Sequence, residues 1–424
     1  MTAVVKLATL AKDLVVAQHF GTTDALDAFL IAWLLPSFAI NVLAGSFMSA
    51  VVPGYIEARV RAGQESAQRL FSTIMVGAVA VLSFASVCLA VASVYAVPVL
   101  ASGFGPDKLA LTQSLARILA PVLLLGGLAT IWGAMLTAGG RFGLYAIAPA
   151  VTPLVTIVAV ATASRAVGAY SLAAAAVVGS ACEAVLLALA LRRQGLSVIP
   201  RWSGGTPAVR LVAGQYTAMV VGALLMSGTD LVDQAMAAAL GPGSVSALAY
   251  GSKVVASVLG LGSVAVGTAV FPEVSRLVAG REWVGVRGTL RVYAAMVAAV
   301  TLPFTVVVAG LSESIVGVLF GRGAFTPSDV ALVGRIQALY VVQVPFYLLG
   351  ILAARVISSL KANGVLMRGA AVNLALKILL NYVLMSRFGV TGIAASTVVV
   401  YAVSCGYLYW SVRRLLREAA GAAS

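Results

Sequence analysis

Lys6, Lys12 and Lys253 each interrupt a segment otherwise apolar enough to cross a bilayer, in a 424-residue chain in which only 10% of residues are charged. A lysine at the centre of a membrane helix costs about 2.5–3.5 kcal/mol on insertion scales, so such residues face a bundle interior, a water-filled cavity or an anion. Their chemistry is electrostatic, and three sheltered cations suit an anionic cargo. Lys6 and Lys12 lie about 240° apart on a helix and need not share a face, although long side chains from successive turns can converge. Lys6 fits equally well as a side chain snorkelling to the interface. Asp13 either pairs with a lysine or stands at the rim.

A second polar cluster lies in the C-terminal half. Asp230 and Asp233 are three apart on one predicted helix; Asn373, Lys377 and Asn381 recur every fourth residue on another and line one face. Carboxylates beside amides can hold sodium or relay a proton. The competing reading is an Asp233–Lys377 ion pair that orients two helices, with the ammonium standing where a cation would sit. Asp27, Arg117, Glu183 and Arg355 are further polar groups in or near apolar runs, and none suggests catalysis. His19 is the only histidine, no Ser-His-Asp or Cys-His set can be assembled, and no P-loop is present. An enzyme, an ATP-driven pump and a resident metal or cofactor are therefore not expected. Any energy input would be the membrane potential, Na+ or H+.

The elements that must carry these residues are membrane helices. A hydrophobic content of 61% and mean hydropathy of +1.04 place the chain among all-α polytopic membrane proteins. Turn residues such as Gly139-Gly140 and Gly241-Pro242-Gly243 separate twelve predicted helices: 1–20, 25–54, 70–100, 109–138, 142–164, 168–191, 210–239, 244–273, 286–320, 328–360, 365–386 and 390–415. A linker rich in glycine and proline over 193–209 divides them into six-helix lobes, 1–192 and 210–424. Lysines and arginines in the short loops fall seventeen against four on the two sides, which predicts cytoplasmic termini.

The formal charge of +14 is spread over these loops and forms no basic domain, which argues against nucleic acid. Cys88, Cys182 and Cys405 lack paired spacing and read as small core residues. Lys6 and Lys12 interrupt what would be the apolar core of a signal peptide, so the first segment is expected to stay in the protein. Residues 168–178 echo 389–399, Arg192-Arg193 echoes Arg413-Arg414, and Val52-Pro53 echoes Phe271-Pro272. An offset of about 220 residues with six helices per half predicts a parallel repeat, which places a cargo site between the halves.

The run Ala11-Lys12-Asp13, then Phe20-Gly21, Asp27-Ala28-Phe29, Leu35-Pro36 and Val52-Pro53, resembles the start of the MurJ (MviN) lipid II flippase family. Residues 319–326, beginning Leu319-Phe320-Gly321-Arg322, and 267–275, containing Phe271-Pro272, are similar to two further motifs of that family, in the same order. The resemblance implies the multidrug/oligosaccharidyl-lipid/polysaccharide exporter fold: two six-helix lobes about a cationic cavity that moves an undecaprenyl-pyrophosphate-linked glycan across the bacterial cytoplasmic membrane by alternating access. The family's cavity arginines correspond to Lys6, Lys12 and Lys253, which keep the charge but lose the bidentate fork. Its helix-two arginine pair corresponds to Ile40 and Asn41, and a nearby acidic residue to Gly45.

With Asp13 and Asp27, Asn41 completes the candidate cavity or gating residues. Against the family the sequence begins part-way into the first helix and ends before two C-terminal helices that many members carry, helices implied to form a groove for the lipid tail. The pattern around Asp230 and Asp233 resembles a branch associated with exported polysaccharides. Lipid II is thus the leading cargo, followed by an exopolysaccharide or O-antigen repeat unit. Cell-wall or polysaccharide synthesis proteins are the implied partners. An ion-coupled multidrug antiporter is the competing transport class, disfavoured because cationic drugs call for acidic cavities, and a membrane scaffold is the non-transport alternative.

Overall fold

Backbone polar groups within hydrocarbon have no water to bond, and a helix satisfies them inside one segment. The computed structural model describes residues 2–139, 142–202, 204 and 207–421; these are helical almost throughout, with no strand among them. Arg141, counted above among the loop cations, lies outside the described residues.

The first packing unit comprises 1–243. Helix α1 (Thr2–Phe20) ends where Gly21 takes φ 53° and donates its N–H to the Ala17 carbonyl at 2.8 Å. Helix α2 (Asp24–Leu100) has 77 residues, about 115 Å of helix, roughly four times what one crossing needs. Gly63, at φ 82° and ψ 175°, breaks it into two passes. The loop expected over 55–69 is therefore largely helical, a correction with a local cause: Glu57–Arg61 and Glu65–Arg69 are i,i+4 ion pairs on alanine-rich helix-forming sequence. There follow α3 (Pro106–Ala138), the short α4 (Phe142–Ile147), α5 (Val151–Val167), α6 (Tyr170–Arg193) and α7 (Pro207–Ala238). A 3-10 turn at Ala148–Ala150 joins α4 and α5 into the pass expected over 142–164.

The second unit, 244–424, contains α8 (Ser244–Ala279), α9 (Trp283–Phe320), α10 (Pro327–Val341), α11 (Gln343–Ser359), α12 (Asn363–Phe388) and α13 (Val390–Gly421). Helices α10 and α11 are one pass bent at Val342, three residues before Pro345. Among the described residues nine helical stretches are long and apolar enough to cross a membrane. Counting α2 twice and adding α1 and α7 gives the twelve crossings expected. Helix α1 falls outside the nine because Lys6, Lys12 and Asp13 share its short span.

The packing boundary at Gly243 differs from the linker at 193–209. Helix α7 packs on α2: the Tyr216 hydroxyl donates to the Leu43 carbonyl at 3.3 Å and its ring meets Phe47 edge-on at 5.9 Å. The linker is also tied down, since Gln68 Nε2 donates to the Ser197 carbonyl at 3.1 Å. One core of the first unit gathers Tyr55, Phe71, Met75, Leu123 and Leu191; that of the second gathers Val274, Leu352, Val356, Ile357 and Val412.

The sequence echo has a conformational counterpart. Gly168 and Gly389, 221 residues apart, end α5 and α12 with φ/ψ of 56°/−135° and 58°/−139°. Each donates its N–H four residues back, to Ser164 or Met385, and each carbonyl accepts from the N–H three residues on, of Ser171 or Gly392. Side chains rarely adopt this conformation, so glycine at both positions marks the same turn made twice.

Candidate functional site

On α1 the residues Asp13, Val16, Ala17 and Phe20 are buried, an i, i+3, i+4, i+7 stripe that faces α5. Lys12 lies one residue off this stripe; its Nζ is 2.9 Å from Asp13 Oδ1, with 27% of the lysine side chain exposed and 9% of the aspartate's. The sequence alternative of a pair at Asp13 is thus realised with Lys12. Lys6 is exposed, two turns earlier and about 20° from the line of Asp13.

Lys253 is half-buried on α8, and the residues before it explain how that helix is held. Tyr250 packs against Phe320 and Phe325, with ring centroids 5.1 and 5.5 Å away. Those two phenylalanines belong to the 319–326 motif, so the motif forms the α9–α10 connection that clasps α8. Its helix start is fixed by a capping box between Thr326 and Asp329, with Pro327 in the first turn. Gly251 lets α10 approach: a methyl group there would come within 2.4 Å of Ile336 Cγ2. Lys253 lies about 200° around α8 from Gly251, on the other side. In the 267–275 motif, Gly267 leaves room beside the Arg355 guanidinium, which lies 5.9 Å over the Phe271 ring.

The face predicted for Asn373, Lys377 and Asn381 exists, and it is zipped to α13. Asn373 Nδ2 donates to Ser404 Oγ at 2.9 Å, and Lys377 Nζ donates to Ser396 Oγ at 3.2 Å and to Thr397 Oγ1. Ser396 Oγ in turn bonds Asn381 Oδ1. Lys377 is 2% exposed and Asn381 fully buried. On α7, Asp233 is buried at 8% and Asp230 exposed.

Asp27 is fully buried, and its Oδ2 accepts from Lys108 Nζ and from the Gly243 N–H, each at 2.8 Å. Lys108 also bonds Asp24 at 2.5 Å and sits 4.0 Å over the Phe104 ring. This cluster ties the starts of α2 and α3 to the turn after α7. Gly103 fits there because it lies against Ala239, whose Cα an added methyl would approach to 2.6 Å. Asn41 is exposed, while Ile40 packs against Gly126 of α3. No group of three metal-ligating His, Cys, Asp or Glu side chains occurs among the described residues.

Sequence reasoning missed Lys108, Ser396, Thr397 and Ser404. Hydroxyls inside helices are ordinarily spent on the carbonyl a turn back, as Thr397 Oγ1 is on Ile393 at 3.0 Å. The available signal was their recurrence on one face of α13.

The described residues thus form a polytopic bundle of membrane-spanning helices with lysines inside its spans. The same fold occurs in an inward-facing MATE family transporter of the MOP superfamily, at TM-score 0.81 and 12% identity over 100% of this chain and 96% of that one. It also occurs in the lipid II flippase MurJ in an inward closed conformation, at TM-score 0.82 and 20% identity over 98% of this chain and 88% of that one. By sequence, the probable lipid II flippase MurJ of Synechocystis sp. is 27% identical over 98% of this chain and 80% of its own length. Relatives of this kind are matched over 65 to 82% of their lengths. The lipid II flippase MurJ family model matches residues 16–422, and the chain belongs to that family. It is a multi-pass membrane transporter, not an enzyme.

Proposed function

We propose that this protein flips an undecaprenyl-pyrophosphate-linked glycan, lipid II foremost, from the inner to the outer leaflet of the bacterial cytoplasmic membrane by alternating access. Membership of the family over residues 16–422 carries the reading. Cations at three of its positions support it. Lys12 and Lys253 would each offer an ammonium to the pyrophosphate, with Lys6 at the mouth of the path. Asp13, 2.9 Å from Lys12, would hold that ammonium until a phosphate oxygen replaces the carboxylate. Asp27 and Asn41 are assigned to gating.

An anionic cargo leaving a negative interior gains about 2.3 kcal/mol per charge per 100 mV, so the membrane potential suffices as a driving force. The termini are placed in the cytoplasm by the arginine bias, and cell-wall synthesis proteins on either side would supply and consume the cargo. The cluster of Asp230, Asp233, Asn373, Lys377 and Asn381 serves either ion coupling or helix pairing. The buried Lys377 ammonium among hydroxyls favours pairing.

One observation favours a second cargo, an exopolysaccharide or O-antigen repeat unit. The family's arginine pair is replaced by Ile40, which packs on α3, and exposed Asn41.

The test is complementation of a strain depleted of its lipid II flippase, beside surface-polysaccharide export in a strain deleted for this gene. Rescue that is lost with Lys12→Ala and with Lys253→Ala at normal expression supports the first reading. Failed rescue with lost polysaccharide supports the second, and full rescue by both alanine variants removes the cationic mechanism.

A further inference from the structure

Four arginines surround one cavity of about 450 Å³ between the first turns of α9 and the last turns of α13. Arg287 and Arg291 come from α9, Arg413 and Arg417 from α13, and Leu290 and Leu416 help form the apolar part of the wall. Each pair is spaced i,i+4, so like charges stack on both helices, an arrangement that weakens a helix unless an anion offsets it. The neighbouring Arg414 is spent otherwise: it pairs with Glu418 at 2.7 Å and lies 6.0 Å over the Trp410 ring. None of the four has a carboxylate within ion-pair distance among the described residues; Arg287 donates only to the Leu416 carbonyl, at 3.5 Å.

The Tyr409 ring completes the apolar part of the wall. Trp410 follows it and Trp283 begins α9, amphipathic rings suited to the headgroup level of a bilayer.

We infer that this cavity binds the phosphodiester headgroup of an anionic phospholipid. The arginine forks take the phosphate oxygens, and the leucines and the Tyr409 ring meet the glycerol and the start of the acyl chains. Basic pockets between membrane helices recognise acidic headgroups in this way. The site lies wholly within the second unit, and it stands whether or not lipid II is the cargo.

Native mass spectrometry of the purified full chain in neutral detergent, with equal phosphatidylglycerol and phosphatidylcholine, reads it directly. Wild type should retain phosphatidylglycerol in preference. Arg291→Gln with Arg417→Gln should cut that preference at least about tenfold, since each surface arginine is worth several-fold in binding an acidic lipid. Phosphatidylcholine retention and unfolding temperature should stay unchanged in that double variant. The separate replacements Arg287→Gln and Arg413→Gln serve if the double variant fails to fold. An unaltered preference in the glutamine variants overturns the site. If millimolar inorganic phosphate abolishes the preference, and by itself shields these arginines from phenylglyoxal, the ligand is a soluble phosphate and the lipid assignment falls.

Discussion

Lys377 shows how a charge is kept inside a membrane helix. Its ammonium has three donors; the Ser396 and Thr397 hydroxyls accept two, and Asn381 holds Ser396 in turn. Lys377→Met keeps most of the stem but removes both charge-assisted bonds, so unfolding in detergent should come earlier by about 1.5–3 kcal/mol. Sodium distinguishes the two roles of the cluster. If the ammonium stands in for an ion, flipping by Lys377→Gln becomes sodium-dependent; if it only pairs helices, sodium changes nothing. Asp27 poses the reverse problem, a fully buried carboxylate held by Lys108 and by the Gly243 N–H. Asp27→Asn leaves Lys108 with Asp24 alone, and breaking a buried pair costs about 3–5 kcal/mol. A destabilisation below 1 kcal/mol by chemical unfolding would show that the α7–α8 turn is held by something else.

At the scale of elements, glycines decide where helices end and how closely they approach. Gly168 and Gly389 share one left-handed conformation at the ends of α5 and α12. Alanine at either should therefore destabilise by a similar amount, about 1–3 kcal/mol, and the double variant should show the sum because they share no partners. Unequal costs would mean that the two halves use the turn differently. Gly251→Leu should do more, since even a methyl comes within 2.4 Å of Ile336; displacing α8 from α10 moves Lys253 with it, and flipping should fall more than stability. Gly168, Gly389 and the Asn373 face were legible from spacing and repeat alone. The tight approach at Gly251 was not, because nothing in α8 says which residue of α10 it will meet.

For the whole molecule, twelve crossings with the arginines on one side predict how cysteines react. In a variant lacking Cys88, Cys182 and Cys405, a cysteine at Asp107 should react with an impermeant maleimide added to intact cells, and one at Glu65 only after lysis. Reaction of both from outside would refute the assigned topology.

The sequence by itself determined class, crossing number and family, because hydrocarbon tolerates only segments whose backbone bonds are internal, and such segments announce themselves by length and apolarity. It also placed Lys6, Lys12 and Lys253 inside helices. Only the tertiary structure decided that Lys12 pairs with Asp13, that Lys377 is bound by hydroxyls of α13, that α7 packs with the first unit, and that four arginines distant in sequence ring one cavity. Most of those facts depend on which helix faces lie against each other, a matter of close packing between residues up to 173 apart that local periodicity does not encode.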